Sequence, residues 1–468
     1  MSEGLWTALD AARASGGRLS EGGWTACGVS IDTRTLKPGE LFVALSDRRD
    51  GHDFAQDALN KGAAAVMVSR ADCASGPRLV VDDVLKGLRA LGEGARARCE
   101  GVRVGVTGSV GKTGVKEALA AVFRQAGRAH WSEKSFNNHW GVPLTLARMP
   151  ADTERAVFEM GMNHAGEIAD LVSMVRPHVA LITKIAPAHL ENLGSMEAIA
   201  DAKAEIFSGL ADDGVAVIPA DDEFADRLKD AVALSRAAFL IDFGWSPGAA
   251  VRVHRYEDGP DGGVGALDLM GRRLDFRLRL SGRHQAVNAA GVVAAAFAAG
   301  VDPELALDAL SRLEPVSGRG ASFEASLDSA RTVTIIDESY NANPASMAAA
   351  LTSLKAHAPR RGARRIAVLG EMLELGPGSA AMHAELSGPV AESGTDWLIA
   401  VGEGARALVE ALEGRVEAIW VKDTASAAEL LTGKAGDGDV VLIKGSNASG
   451  VHKLAAWLKN ADASNARA

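Results

Sequence analysis

Val102-Arg103-Val104-Gly105-Val106-Thr107-Gly108-Ser109-Val110-Gly111-Lys112-Thr113-Gly114-Val115 is the stretch from which the rest of the chain can be read. Val102, Val104 and Val106 form a β-branched run of the kind that suits a buried parallel strand. From Val115 to Phe123 the apolar residues are dense enough for a helix packed on a sheet. Between strand and helix, Thr107-Gly108-Ser109-Val110-Gly111-Lys112-Thr113 is a loop whose glycines let backbone N–H groups converge on an anion. Lys112 can add a point charge on the outer phosphates, and the Thr113 hydroxyl can hold Mg²⁺. The strict G-x-x-x-x-G-K-[ST] pattern fails at its first position, where Val106 stands. Strand, loop and helix nevertheless follow in the order a nucleoside triphosphate site requires.

The chain has 468 residues, enough for about three domains, and 47% of them are apolar, so each can bury a core. A net charge of −10 argues against non-specific nucleic-acid binding, although an anionic small substrate needs only local cations. Cys27, Cys73 and Cys99 show no paired metal spacing and read as reduced thiols. No basic segment followed by an apolar run opens the chain, and no apolar stretch reaches membrane-spanning length. A soluble, cytoplasmic and monomeric protein is expected.

Read along its length, the chain divides into three α/β units. Residues 1–100 hold strands at 41–45 and 64–68 with a helix over 54–61 between them. Residues 101–314 carry strands at 102–106, 156–160, 179–185, 214–218 and 238–243, which implies a mostly parallel sheet. From Val251 to Leu280 alternation and turn signals at 259–262 and Gly271 predict an antiparallel excursion. The Ala-rich helix from Gln285 to Ala299 follows. Residues 315–468 place strands at 332–337, 365–369, 397–401, 416–421 and 440–444 between helices, a Rossmann-like pattern that ends in a polar, frayed tail.

Several polar clusters fall at strand ends, where ligands of such sheets bind. Ser135-Phe136-Asn137-Asn138-His139-Trp140-Gly141 follows the phosphate loop, and on its own could be simple turn chemistry. Glu159 ends a predicted strand and His189 follows one. A carboxylate suits a hard cation well; imidazole suits it less often. Lys203 shares a helical face with Ile199 and Phe207 on a helix predicted over 195–210, where it could also snorkel to water. Gly318-Arg319-Gly320, Asp337-Glu338-Ser339-Tyr340-Asn341-Ala342-Asn343-Pro344, Glu371 to Gly376 and Lys444 to Asn447 lie in the third unit. Asp32-Thr33-Arg34 and Asp50-Gly51-His52 read locally as a turn and a helix cap.

Taken in order, these motifs resemble the Mur ligases, the ATP-dependent amino-acid-adding enzymes of peptidoglycan synthesis. T-G-S-x-G-K-T, N-N-x-x-G-x-P, E-x-G-x-N-x-x-G-E-I, A-H-L-E and K-x-E-I-F match in spacing as well as content. S-Y-N-A-N-P at Ser339 to Pro344 and E-L-G at Glu374 to Gly376 resemble the type that adds D-Ala-D-Ala. The resemblance implies a three-domain architecture: a first domain holding the uridine nucleotide of UDP-MurNAc-tripeptide, a central P-loop ATPase-like domain, and a Rossmann-like third domain holding the dipeptide. Asp32, Thr33 and Arg34, with Asp50, Gly51 and His52, then become uridine-nucleotide elements. Asn137, Asn138, Tyr340, Asn341 and Asn343 become substrate contacts. Thr107 to Thr113 would bind ATP, Asn288 would meet the adenine, Asp337 the ribose, and Arg319 the phosphates. Thr113, Glu159, His189 and Lys203 would hold two Mg²⁺ ions, Lys203 as a CO₂-derived carbamate. Gln285, Glu338 and Asn447 depart from the residues commonest in the family at those positions.

The reaction implied is formation of an acyl phosphate from ATP and a substrate carboxylate, followed by attack of the D-Ala-D-Ala amine. The rivals are the ligase type adding the third amino acid, a folate polyglutamate ligase, and a noncatalytic nucleotide-dependent switch. The D-N-P-x segment typical of the first rival does not occur between Val401 and Val440.

Overall fold

The structure, a computed structural model, describes residues 4–259 and 262–465. Met1 to Glu3, the turn residues Pro260 and Asp261, and Ala466 to Ala468 lie outside the described residues. Four sheets are present there: a two-stranded ribbon, a five-stranded sheet, a nine-stranded sheet and a six-stranded sheet. The five-stranded sheet is built from strands between Arg18 and Val80 and is mostly parallel.

The nine-stranded sheet carries the phosphate loop. Its parallel strand Val102–Thr107 lies between Val179–Ile182 and Arg155–Glu159, which is why the carboxyl ends of all three meet at one edge. The hairpin strands Val251–Gly259, Gly262–Leu269 and Arg272–Leu278 extend this sheet as the expected antiparallel excursion. Apolar clusters cover both faces, one around Phe123 and the Ala-rich helix Arg283–Ala298, the other around Phe158 and Phe207. The six-stranded sheet follows, parallel except for its edge strand Ala321–Ser326, which pairs antiparallel with Thr332–Glu338. Among the described residues no helix is long and apolar enough to cross a membrane.

Two local expectations change. The strand expected over 179–185 stops at Ile182: Thr183 N still donates to Thr107 O at 2.9 Å, while its hydroxyl turns to the phosphate loop and donates to Val110 O at 2.5 Å. The helix expected over 195–210 is α-helical only over Met196–Ala204 and tightens into a 3₁₀ turn over Glu205–Gly209. Glu205 is drawn aside there, its carboxylate accepting from Gly166 N at 2.7 Å and Ala169 N at 3.0 Å. The last helix, Val451–Asn465, continues into the polar end of the chain, of which residues 466–468 lie outside the described residues.

The joints between units differ in kind. Leu144 and Ala147 of the second unit share one buried apolar cluster with Trp6, Val29 and Leu88 of the first. Trp6 Nε1 also donates to Ala147 O at 2.8 Å. The clusters of the third unit contain only its own residues.

His130, on the edge strand Ala129–Trp131, donates from Nε2 to Thr145 O at 2.7 Å. Burial pushes its pKa down to about 4. His178, His284 and His383 are lowered by the same cause. A group depressed in this way keeps the folded state neutral while the unfolded chain takes up a proton below about pH 6.5. Stability is therefore full above that pH and is lost as pH falls toward 4. Urea unfolding at pH 7 and pH 5 should show a drop, with His130 contributing on the order of 1–2 kcal/mol. His130→Gln, which keeps a donor, should flatten the dependence.

Candidate functional site

The second and third units enclose a cleft of about 700 Å³, floored by the phosphate loop and roofed by Arg319, Tyr340 and Asn343. Its floor begins where Val102–Thr107 ends. Gly108 has φ +146°, and a Cβ there would sit 2.0 Å from Thr183 Oγ1. Glycine is required at this position because the loop folds directly onto the neighbouring strand end. Ser109 N donates to Lys184 O at 2.7 Å, and Ser109 Oγ accepts from Ala186 N at 3.0 Å, so the loop is tied at two points. Gly111, at φ +84°, opens the helix Lys112–Ala126. The first-turn amides of that helix have no partner within it, which makes its end an anion site.

Charge in the floor is arranged in a short chain. Lys112 Nζ donates to Gly108 O at 2.6 Å, and burial pushes its pKa down, with Arg319 adding to the shift and Glu159 opposing it. The Thr113 hydroxyl donates to Glu159 Oε2 at 2.8 Å, while Asn137 Nδ2 donates to Glu159 Oε1 at the same distance. Glu159 is only 1% exposed, and both its oxygens are thereby oriented. Lys203 does not snorkel: it is 2% exposed, and burial followed by the nearby Lys112 charge pushes its pKa well down. His189 borders the cleft at φ +58°, a left-handed conformation uncommon outside glycine. Its Nδ1 lies 2.6 Å from Glu374 Oε2 of the third unit, itself at φ +62°. The His189 contact holds the Glu374 carboxyl below its ordinary pKa.

The donor set suits a hard cation bound with a nucleotide. Thr113 and Glu159 offer oxygen atoms, and among the described residues no three His, Cys, Asp or Glu side chains form a metal cluster by themselves. Mg²⁺ commonly takes one or two protein carboxylates and completes its shell with phosphate oxygens and water.

From the third unit, the Arg319 guanidinium stacks 4.0 Å from the Tyr340 ring, and Tyr340 Oη hydrogen-bonds Ser135 Oγ of the second unit. Asn343 caps the helix Pro344–Ala356 and also lines the cleft. Asn341 lines it too, its carbonyl accepting from Lys444 Nζ at 2.9 Å. Asn288 borders the loop, its Oδ1 3.0 Å from where a Gly111 Cβ would be, and Gln285 Oε1 accepts from its amide at 3.4 Å.

Two residues expected at the site do not line this cleft. Asp337 turns away from this cleft. Its carboxylate accepts from Gly318 N at 2.8 Å and from Ser339 Oγ at 2.5 Å, so it holds the Arg319 loop, and Glu338 borders the cleft instead. Asn138 Oδ1 accepts from Gly141 N at 2.9 Å and serves the start of the next helix. Asp32, Thr33 and Arg34 lie on the first unit, the one expected to hold the uridine nucleotide. There Arg34 pairs with Asp32 at 2.6 Å, pulling its pKa down to about 2, and Lys61 donates to Thr33 O at 3.2 Å.

Lys444 and Ser135 fall within the strand-end clusters of the sequence, which assigns neither a role of its own. Lys444 is buried at a strand end beside Glu338, 3.7 Å from Oε2, and a lysine closing an apolar strand was the available signal.

Comparison with known proteins agrees with this architecture. The chain matches the family models described as Mur ligase family, catalytic domain (residues 26–98), Mur ligase middle domain (106–296), and Mur ligase, glutamate ligase domain (323–447). Among named relatives, the UDP-N-acetylmuramoyl-tripeptide--D-alanyl-D-alanine ligase of Escherichia coli K12 is 36% identical, over 84% of this chain and 85% of its own length. The Bacillus subtilis enzyme of that name is 34% identical, over 90% of each chain. A crystal structure of MurF from Acinetobacter baumannii superposes with a TM-score of 0.84 at 30% identity, covering 97% of this chain and 98% of its own. MurF from Thermotoga maritima in complex with ADP gives 0.76 at 26% identity, covering 94% and 98%. With its three units each matched in order, and relatives alike over most of their length, the chain belongs to the Mur ligase family.

Proposed function

We propose that this protein is the ATP-dependent ligase that joins D-alanyl-D-alanine to UDP-N-acetylmuramoyl-tripeptide, giving the pentapeptide precursor, ADP and phosphate. The observation that carries the reading is the convergence of Lys112, Thr113, Glu159 and Arg319 on one cleft between two units, with the buried Lys203 close enough to Lys112 to feel its charge. Residues 1–100 would hold the uridine nucleotide, 101–314 ATP, and 315–468 the dipeptide. A monomer in the cytoplasm is part of this proposal.

The substrate carboxylate attacks the γ-phosphate, ADP leaves, and the acyl phosphate forms. The dipeptide amine then attacks the acyl carbon, phosphate leaves, and the amine gives up a proton as the amide forms. Such a transfer needs alignment and charge neutralisation more than covalent help. The amides at the helix start and the Lys112 ammonium receive the phosphates, and Arg319 adds its charge from the roof. Stacking on Tyr340 holds the Arg319 guanidinium plane in place. Mg²⁺, held by Thr113, Glu159, His189 and Lys203, would supply further charge neutralisation on the phosphate oxygens. Contact of the third unit with Ser135 and His189 keeps water from the acyl phosphate and presents the amine.

Lys203 fits this scheme as a carbamate. An ammonium there would repel a metal ion. Its neutral amine can attack CO₂, forming an N–C bond and losing a proton, which leaves a carboxylate with oxygens for a hard cation. An unperturbed lysine is neutral in only roughly one part in a few thousand at pH 7. Burial and the Lys112 charge favour the neutral form and raise that fraction.

ADP release should be rapid only when UDP-MurNAc-tripeptide and D-Ala-D-Ala are both supplied. Equal turnover with diaminopimelate and the dipeptide-stage precursor would assign the protein to the rival type. Arg319→Ala should lower kcat about 100-fold while leaving binding of the uridine nucleotide alone unchanged; calorimetry and steady-state assays separate the two. Lys203→Ala should lose most activity and regain part of it with a small carboxylic acid that fills the gap. A high-resolution map with bicarbonate that showed bare lysine, together with full activity of Lys203→Ala, would rule the carbamate out.

A further inference from the structure

One turn of helix beyond the phosphate-loop residues lies Lys116, a lysine that none of the chemistry above uses. It is 0% exposed, yet its ammonium is well satisfied. Nζ donates to Ser132 O at 2.8 Å and to Lys134 O at 3.0 Å, and it pairs with the Glu117 carboxylate. A three-donor ammonium with three acceptors can be buried at tolerable cost, and removing it would leave those acceptors unsatisfied.

The two carbonyls belong to the turn 132–137, which touches all three units. Its Asn137 orients Glu159, and its Ser135 meets Tyr340 of the third unit. Phe136 packs against the apolar cluster of the first unit. Glu133 accepts from Arg148, which in turn donates to Val29 O of the first unit at 2.6 Å. Lys134, at φ +49°, is held in a left-handed conformation that a non-glycine residue adopts only under constraint. Its carbonyl is one of the two that Lys116 holds.

We propose that Lys116 is a positioning residue: a buried strut that fixes the 132–137 turn to the nucleotide helix, and so places the uridine-linked substrate's reacting end against ATP. The proposal rests on the ligase reading for the substrate it names. The strut itself is tested without substrate. Because Lys112 and Thr113 sit one turn earlier on the same helix, the nucleotide site and the turn share one rigid element.

The test uses the full chain carrying Lys116→Met. Hydrogen exchange of the amides of Ser132 to Asn137 should quicken at least tenfold, with the sheet strands unchanged. Affinity for Mg·ADP should stay within about threefold of wild type. The KM for UDP-MurNAc-tripeptide should rise about tenfold or more, while the KM for ATP stays within about threefold. A variant with wild-type exchange at 132–137 overturns the strut whatever its kinetics, and this readout is independent of the ligase assignment. Loss of Mg·ADP binding with an unchanged substrate KM overturns it as well, because Lys116 would then serve the nucleotide. If Lys116→Met does not fold, Lys116→Gln and the wild-type protein decide. Mg·ADP should slow exchange of the 132–137 amides in the wild type and slow it less in Lys116→Gln. An unchanged rate in the wild type overturns the coupling.

Discussion

The Glu159 carboxylate is the constraint on which the centre depends. It ends a central strand, is almost wholly buried, and is gripped from opposite sides by Thr113 and Asn137. Burying a carboxylate is costly unless its oxygens are hydrogen-bonded. Here the two bonds that meet that cost also join the phosphate-loop helix to the turn 132–137. Parallel pairing of Arg155–Glu159 with Val102–Thr107 puts Glu159 opposite Val106, just before the loop. The sheet register thus determines where the acidic group meets the loop.

Around this carboxylate the cleft concentrates positive charge, although the chain as a whole carries −10. Lys112 and Lys444, which line it, are both pushed toward the neutral form by burial. Arg319 adds to the shifts on Lys112 and Lys444. Cations held this way are poorly solvated before a ligand arrives, so a polyanion entering the cleft gains more from them than from the same groups in water.

The sheet strands and the phosphate loop were legible because their signals are local: β-branched runs, glycines at the turn, and an acidic or polar residue at the strand end. Val102–Thr107 and Arg365–Gly370 lie within a residue of where the pattern puts them. Local patterns said less about which polar groups meet. Asp337 and Glu338 are adjacent, and only the fold shows that the first serves the Gly318 amide while the second borders the cleft. Tyr340 and Ser135 are 205 positions apart, and His189 reaches Glu374 across two units, so neither contact leaves a periodic trace. The Lys203 helix was misjudged in length because Glu205 answers to distant amides rather than to its own helix. The helix pattern leaves the burial of Lys203 open, because a lysine among apolar neighbours can either extend to water or stay inside.

The unlike joints between units bear on how the molecule moves. Leu144 and Ala147 continue the core of the first unit into the second, and prising them apart would expose apolar surface to water. The third unit is held to the second by contacts such as Tyr340 with Ser135, His189 with Glu374, and Glu191 N with Glu374 O at 3.4 Å. Water can replace each of these when the surfaces separate, at little net cost. The two joints are thus of different kinds: an apolar seam ties the first unit to the one carrying the phosphate loop, while hydrogen bonds and a His–Glu contact tie on the third. Burial of apolar surface resists separation in water in a way that hydrogen-bonded contact does not, so the seam at Leu144 and Ala147 is the costlier of the two to open.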